Sequence, residues 1–321
     1  MNRNAKDLEH SVREEISKVI VGKEEQIRLI VAAVLAEGHI LLDDLPGVGK
    51  TTLVKCLART LGCDSGRIQF TPDMLPSDII GMNIFDRSTG EFKRLEGPVV
   101  TNLLLADELN RAIPRTQSAL LEAMEERQIT IDGESSPLPR PFCVLATQNP
   151  VESESTFRLP AAQTDRFMIC LSLGYPSVEE EVRMLKLVGD DIPFEDLKVV
   201  TNREELTELG SRIAKEVKVT DELMAYIASV TDATRKDPAL KLGASPRATR
   251  ALYKISKCHA AICGREYVIP DDVHKLAPYV LCHRFMMDSR AALEGRSAED
   301  VLMNILNTLP VPPLTKEIFD E

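Results

Sequence analysis

Asp44-Leu45-Pro46-Gly47-Val48-Gly49-Lys50-Thr51-Thr52 follows the short apolar run His39-Ile40-Leu41-Leu42 and opens into the helix-like segment Leu53-Val54-Lys55-Cys56-Leu57-Ala58. Strand, glycine-rich turn, lysine, hydroxyl and helix form the context a phosphate-binding loop needs. Gly47 and Gly49 let the backbone approach phosphate oxygens without an intervening Cβ. The N–H groups from Gly47 through Val48 to Lys50 then converge on the anion, with the positive end of the helix dipole behind them. Lys50 is placed to reach the outer phosphates and the Thr51 hydroxyl to ligate Mg²⁺, so residues 46–52, from Pro46 to Thr52, are expected to hold a nucleoside triphosphate. One letter departs from the pattern G-x-x-x-x-G-K-[ST], because its first glycine position holds Asp44. Asp closes turns readily, yet a carboxylate beside phosphates is unfavourable unless it points away or bonds its own backbone. The plainer alternative is a strand-to-helix turn with an accidental Lys-Thr.

A second motif works against that alternative. Leu103-Leu104-Leu105-Ala106-Asp107-Glu108 is a continuous apolar run ending in two acids, the pattern of a strand buried on both faces of a parallel sheet. Ligands of open α/β sheets bind at the carboxyl ends of such strands. Asp107 there can hold Mg²⁺ directly or through water, and Glu108 can polarise an attacking water. Two carboxylates that merely end a strand and solvate a loop are the bland counterpart. A further run, Phe142-Cys143-Val144-Leu145-Ala146-Thr147, ends in Gln148-Asn149-Pro150. The Asn149 amide could bond both the γ-phosphate and the lytic water, while Asn-Pro also initiates turns well.

These stretches occur in order with Leu159-Pro160-Ala161-Ala162-Gln163-Thr164-Asp165-Arg166-Phe167 and Gly243-Ala244-Ser245-Pro246-Arg247-Ala248. Together they resemble MoxR-type AAA+ ATPases over residues 20–313, nearly the whole chain. The resemblance implies an α/β fold: a P-loop NTPase αβα core with a five-stranded parallel sheet, plus a C-terminal α-helical lid domain. It also implies ATP and Mg²⁺ as cofactors, assembly into a homo-oligomeric ring that is usually a hexamer, and chaperone-like activation of a protein client, often one with a von Willebrand A domain or a metal cofactor.

Roles carried over by the resemblance fall on several residues. Arg166 matches the arginine finger, which reaches the γ-phosphate of a neighbouring subunit and is worth roughly 10³ to 10⁵ in rate; a structural ion pair with Asp165 or another acid is the competing role. Arg247 matches the lid arginine called sensor 2. Ser245 and Pro246 are N-cap and first-turn signals, so Arg247 sits in the first turn of a helix, against the dipole, where a polyphosphate would justify it. Arg250, one turn on, competes for the same role. Val21-Gly22 matches the segment that packs on the adenine ring, and is also an ordinary helix connector. Asn110 and Arg111 are expected to order the acidic pair or line a subunit contact.

Composition bounds the rest. The chain has 321 residues, 44% apolar and 28% charged, as soluble globular proteins do. No Trp, 4% aromatics and a formal charge of −11 disfavour a base-stacking or backbone-binding nucleic-acid surface, so a DNA- or RNA-acting motor is the alternative reading rather than the first. A slow-turnover nucleotide switch serving as a scaffold is another. The polar start has no secretory core and residues 29–36 are too short an apolar stretch for membrane insertion, which points to the cytoplasm. Seven cysteines in such a chain are expected to stay reduced. Cys258, His259, Cys263, His274, Cys282 and His283 lack a C-x₂-C pair and are a poor zinc set.

Five apolar runs, 40–42, 68–70, 103–106, 142–146 and 167–171, alternate with helical or loop segments, as a parallel sheet covered on both faces requires. A helix over 113–127 shows a buried stripe at Ile113, Leu120, Leu121 and Met124. Two hairpins interrupt the pattern: one pairs 83–85 with 92–94, and another turns at Asp132-Gly133. They match the helix-2 insert and pre-sensor hairpin of one AAA+ subgroup, or are plain surface hairpins. Beyond Tyr175 strand signals cease and helices are expected over 178–187, 203–217, 221–234, 246–263, 270–281 and 298–309. The core is thus expected over 1–174 and the lid over 175–321, with Pro310-Val311-Pro312-Pro313 forming a short arm.

Overall fold

A computed structural model describes residues 4–44, 47–148, 159–188 and 196–313. Helices α1 (Ala5–Ile16) and α2 (Glu24–Leu35) lead into β1 (Ile40–Asp43), α3 (Lys50–Leu61), β2 (Ser65–Gln69) and the short α4 (Pro76–Ile80). The hairpin β3 (Gly81–Asp86) and β4 (Glu91–Glu96) precedes β5 (Leu103–Asp107) and α5 (Pro114–Glu126). The hairpin β6 (Gln128–Ile131) and β7 (Glu134–Pro137) follows, then β8 (Cys143–Gln148), α6 (Ala161–Thr164) and β9 (Ile169–Leu171).

The five core strands form one sheet in the order β2-β5-β8-β1-β9, with every pairing parallel. Their apolar runs are continuous because both faces are covered. Ile40, Leu42, Leu103, Leu105, Cys143, Leu145, Ile169 and Leu171 face one hydrophobic cluster, whereas Leu41, Leu104, Ala106, Val144 and Ala146 face the other. The alternation is the period of two that a pleated strand imposes on its side chains. The strand order makes β5, β8 and β1 neighbours, so their carboxyl ends lie side by side in the middle of the sheet, where the phosphate loop follows β1.

Both hairpins formed where turn chemistry indicated. Asp132 and Gly133 have φ of 51° and 87°, the left-handed pair that a two-residue turn demands. In the other hairpin Phe85 and Phe92 pair across the strands with ring centroids 5.4 Å apart, both largely exposed. α5 starts at Pro114, with Ile113 as its half-buried N-cap, and buries Leu120, Leu121 and Met124 as expected.

The C-terminal half contains α7 (Val178–Val188), α8 (Arg203–Glu216), α9 (Asp221–Lys236), β10 (Leu240–Leu242), α10 (Pro246–Ile262), α11 (Pro270–Leu281), β11 (Met286–Met287), α12 (Ser289–Leu293) and α13 (Ala298–Thr308). The expectation that strands cease beyond residue 175 fails locally. β10 and β11 form an antiparallel ribbon too short to leave an alternation in the sequence. One apolar cluster runs unbroken from α1, α2 and α3 into α8, α9, α10, α11 and α13. Lid and core therefore share buried surface, and Gly210 of α8 fits against the Leu35 carbonyl, 2.4 Å from where a Cβ would stand. The arm at residues 310–313 lies beyond α13 without regular structure.

Candidate functional site

The turn after β1 is built on left-handed glycines. Gly47 and Gly49 both have φ of +86°, which costs any residue with a Cβ. An ideal Cβ on either would meet no protein atom within 4 Å, so these positions border an open cradle that side chains would fill. Gly49 caps α3 with no side-chain bond, leaving the first-turn N–H groups at Lys50, Thr51 and Thr52 to serve an anion. Lys50 Nζ donates to the Asp44 carbonyl at 3.2 Å, which folds the ammonium back over the loop. Pro46 lies outside the described residues.

Asp44 points away from the cradle. Its carboxylate is buried and accepts from Ser172 Oγ at 2.7 Å, from Leu173 N–H at 2.6 Å and from Gly174 N–H at 3.0 Å. The departure from the loop pattern is thus a bond to the chain that leaves β9, and the expected conflict with phosphates does not arise.

The acidic pair stands at the end of β5. Thr147 on β8 organises it: its buried hydroxyl donates to Asp107 Oδ1 at 2.7 Å and accepts from the Glu108 N–H at 2.8 Å. Glu108 has a φ of 57°, uncommon for a residue with a Cβ and characteristic of over-determined functional turns. Its Oε2 accepts from Gln69 Nε2 at 2.7 Å and from Arg111 Nη1 at 2.9 Å. Arg67 donates to Asp107 Oδ2 at 2.8 Å. Arg111 therefore holds Glu108 of the acidic pair, in line with one of its two expected roles. Arg67, Gln69 and Thr147 were missed. The signal for the first two was present, since they alternate with buried Ile68 along β2 and share its opposite face.

Two cavities meet at the loop. A polar one of about 450 Å³ is lined by Gly47, Gly49, Lys50, Thr51, Thr52, Arg67, Gln69, Asp107, Glu108 and Thr147. An apolar one of about 450 Å³ shares Gly47 and Gly49 with it and is lined further by Val48, Ile20, Val21, Tyr175, Pro176 and Leu185. Such a pair suits a polar chain of phosphates joined to a flat apolar base. Val21 lines the apolar half. Gly22 is not among its lining residues; its φ is +73° and its missing Cβ makes room for Glu180 on α7.

Thr51 and Asp107 supply oxygen donors within one cavity, and no thiol or imidazole lines it. That donor set fits the hard, oxygen-seeking Mg²⁺. Among the described residues no three His, Cys, Asp or Glu side chains gather as a metal site. The tail group is dispersed into separate contacts: His259 bonds Asp272 at 2.8 Å, His274 the Tyr226 hydroxyl at 2.6 Å, and His283 the Phe167 carbonyl at 3.2 Å.

The two expected arginines lie together, apart from this cleft. Arg247 donates to Glu125 at 2.7 Å, and Arg166 Nε stands 3.6 Å from the same carboxylate. Neither lines the polar cavity. A placement of Arg247 over the phosphates of its own chain is therefore not observed. Asp165 anchors the group: it accepts from Ser245 Oγ at 2.8 Å, and Arg284 Nε lies 3.4 Å away. Burial pulls Arg284 down to about 10, against the opposing pull of Asp165. Glu125 had no signal in the sequence, because only the fold sets the end of α5 beside the start of α10. Asn149 lies outside the described residues.

Comparison with known proteins agrees with this geometry. Residues 39–169 match the ATPase family associated with various cellular activities (AAA), and residues 232–305 match the AAA lid domain. The uncharacterised protein YeaC of Bacillus subtilis is 47% identical over 299 residues, 93% of each chain. Chaperone MoxR1 of Mycobacterium tuberculosis is 41% identical over 307 residues, 93% of this chain and 81% of that one. The 2.00 Å crystal structure of a candidate ATPase from Cytophaga hutchinsonii superposes with a TM-score of 0.90 at 37% identity, covering 96% of both chains. Glycine cradle, paired acids, helical lid and end-to-end similarity lead to one conclusion: this chain belongs to the MoxR-type AAA+ ATPases.

Proposed function

We propose that the chain is a Mg²⁺-dependent ATP hydrolase that works as a homo-oligomeric ring, usually hexameric in kind, and couples turnover to chaperone-like remodelling of a protein client. The observation that carries the reading is the divided cleft, which sets Lys50, Thr51, Asp107 and Glu108 on one side of the loop and Val21 on the other. In it the adenine packs against Val21, with Ile20 and Tyr175, and the triphosphate runs over Gly47, Val48 and Gly49 to Lys50 and Thr52. Thr51 and Asp107 would hold the metal ion, which when bound neutralises charge on the phosphates. Glu108 orients the attacking water and draws on its proton, while Gln69 and Arg111 fix the carboxylate that does so. Asn149, the next residue in the chain after Gln148, would add an amide donor.

Arg166 and Arg247 complete the chemistry from the adjacent protomer. Charge develops on the transferring phosphoryl group, and a planar guanidinium neutralises it in trans only after assembly. Support comes from their shared place on Glu125, remote from the chain's own polar cavity. The client reading rests on the similarity to a protein named a chaperone; a von Willebrand A-domain protein is the class the resemblance implies. Glu108→Gln tests the whole reading: it should retain ATP and abolish turnover, and its nucleotide-locked form should capture the client. Unchanged turnover in this variant, or ATPase stimulation by nucleic acid that falls steeply with salt, overturns it.

A further inference from the structure

We infer that Asp44 is a positioning residue that secures the base-facing wall of the cleft to the phosphate loop. The inference deepens the nucleotide reading of the cleft and rests on it. Three donors converge on this one buried carboxylate, and all belong to consecutive residues, Ser172, Leu173 and Gly174. Gly174 and the two residues after it, Tyr175 and Pro176, line the same apolar cavity as Val21. Gly174 has a φ of +62°, and its N–H is one of the three donors, so the carboxylate holds the chain at a left-handed residue that itself lines the cavity. On the other side, the Asp44 carbonyl accepts from Lys50. Asp44 therefore touches both halves of the site, the phosphate half through its main chain and the base half through its side chain.

The division between main chain and side chain makes the assignment specific. Removing the side chain leaves the carbonyl that orients Lys50, so the phosphate half keeps its contact. It leaves the Leu173 and Gly174 N–H groups without their acceptor, and the wall at 174–176 loses its fixed position. A wall that must be ordered at the moment of binding weakens affinity for whatever packs on it. The base is what packs there. Restoring glycine at the first position of the loop pattern should thus impair the site, contrary to what the pattern alone suggests.

Titration calorimetry on the full chain, with Mg²⁺ present, separates the halves by using ATP and inorganic tripolyphosphate as probes. Asp44→Gly should weaken ATP binding by about tenfold or more and tripolyphosphate by no more than about twofold. Asp44→Asn, which keeps one acceptor oxygen, should lie between wild type and glycine. Ser172→Ala removes only the exposed hydroxyl donor and should give the same split at roughly two- to threefold amplitude. Should Asp44→Gly prove too unstable to titrate, the other two variants decide the matter by the same criterion. Equal losses for both probes overturn the assignment, since Asp44 would then shape the phosphate loop itself. Unchanged ATP affinity in all three overturns it too. A wild-type protein that binds neither probe refutes the nucleotide reading, and this assignment with it.

Discussion

Replacing Arg247 with alanine distinguishes a guanidinium that serves its own cleft from one that serves a neighbour. In the structure Arg247 and its partner Glu125 are each about two-fifths exposed, at 40% and 39% of the side chain. An ion pair so accessible contributes at most about 1 kcal/mol, and the variant should fold and assemble. The chemistry loses more, because a preorganised charge on the transferring phosphate is worth at least about 10²-fold in rate. Glu108→Gln should be equally inactive for a separate reason. The informative experiment mixes the two inactive proteins and measures phosphate release at concentrations where rings form. If Arg247 acts in trans, a cleft from an Arg247→Ala protomer beside an arginine from a Glu108→Gln protomer is complete. Random mixing at equal amounts in a head-to-tail ring makes about a quarter of the interfaces competent, so roughly a quarter of the wild-type rate should return. If Arg247 acts within its own chain, no combination restores a complete site. A mixture no faster than its separate components would refute the trans placement.

Two further outcomes are expected. Lys50→Ala removes the ammonium that the Asp44 carbonyl aims over the loop, and calorimetry should show ATP affinity falling by about 100-fold, as loss of a charge-assisted phosphate contact requires; undiminished affinity would leave the cleft without its electrostatic basis. Burial, with the nearby Arg127 charge, pushes His39 down to about 4, below its unfolded value. The unfolded chain therefore takes up a proton first as pH falls, and stability present above about 6.5 is lost progressively toward 4, roughly 3 kcal/mol in all. Urea midpoints should drop between pH 7 and 4.5, with a shallower drop in His39→Gln; an identical slope in that variant would refute the attribution.

Much of the architecture was legible because its physics is local or periodic. The runs at 40–42 and 103–106 read as strands buried on both faces, and the two clusters covering them explain why alternation was absent. Asp132-Gly133 announced its hairpin through the left-handed conformations it favours. β2 was harder: the expected run at 68–70 caught Ile68 and Gln69, but with only Ile68 buried the strand's start at Ser65 and the polar face shared by Arg67 and Gln69 went unread. The ribbon of β10 and β11 has too few residues to show a period. At Gly22 the sequence announced a turn, but not that the space left by its missing Cβ is taken by Glu180 of α7.

By itself the sequence determined the chemistry that depends on neighbours in the chain: the glycine turn, the lysine and threonine at a helix start, and two acids at a strand end. Their conformations follow from bonded geometry and from the pleat, which any fold must respect. Only the tertiary structure decided what depends on residues far apart. It turned Asp44 from a blemish in a motif into an acceptor for residues 172–174, and it set Arg247 beside Arg166 on Glu125. A carboxylate has no preferred partner until packing brings donors within reach, and that distance is written in no local pattern.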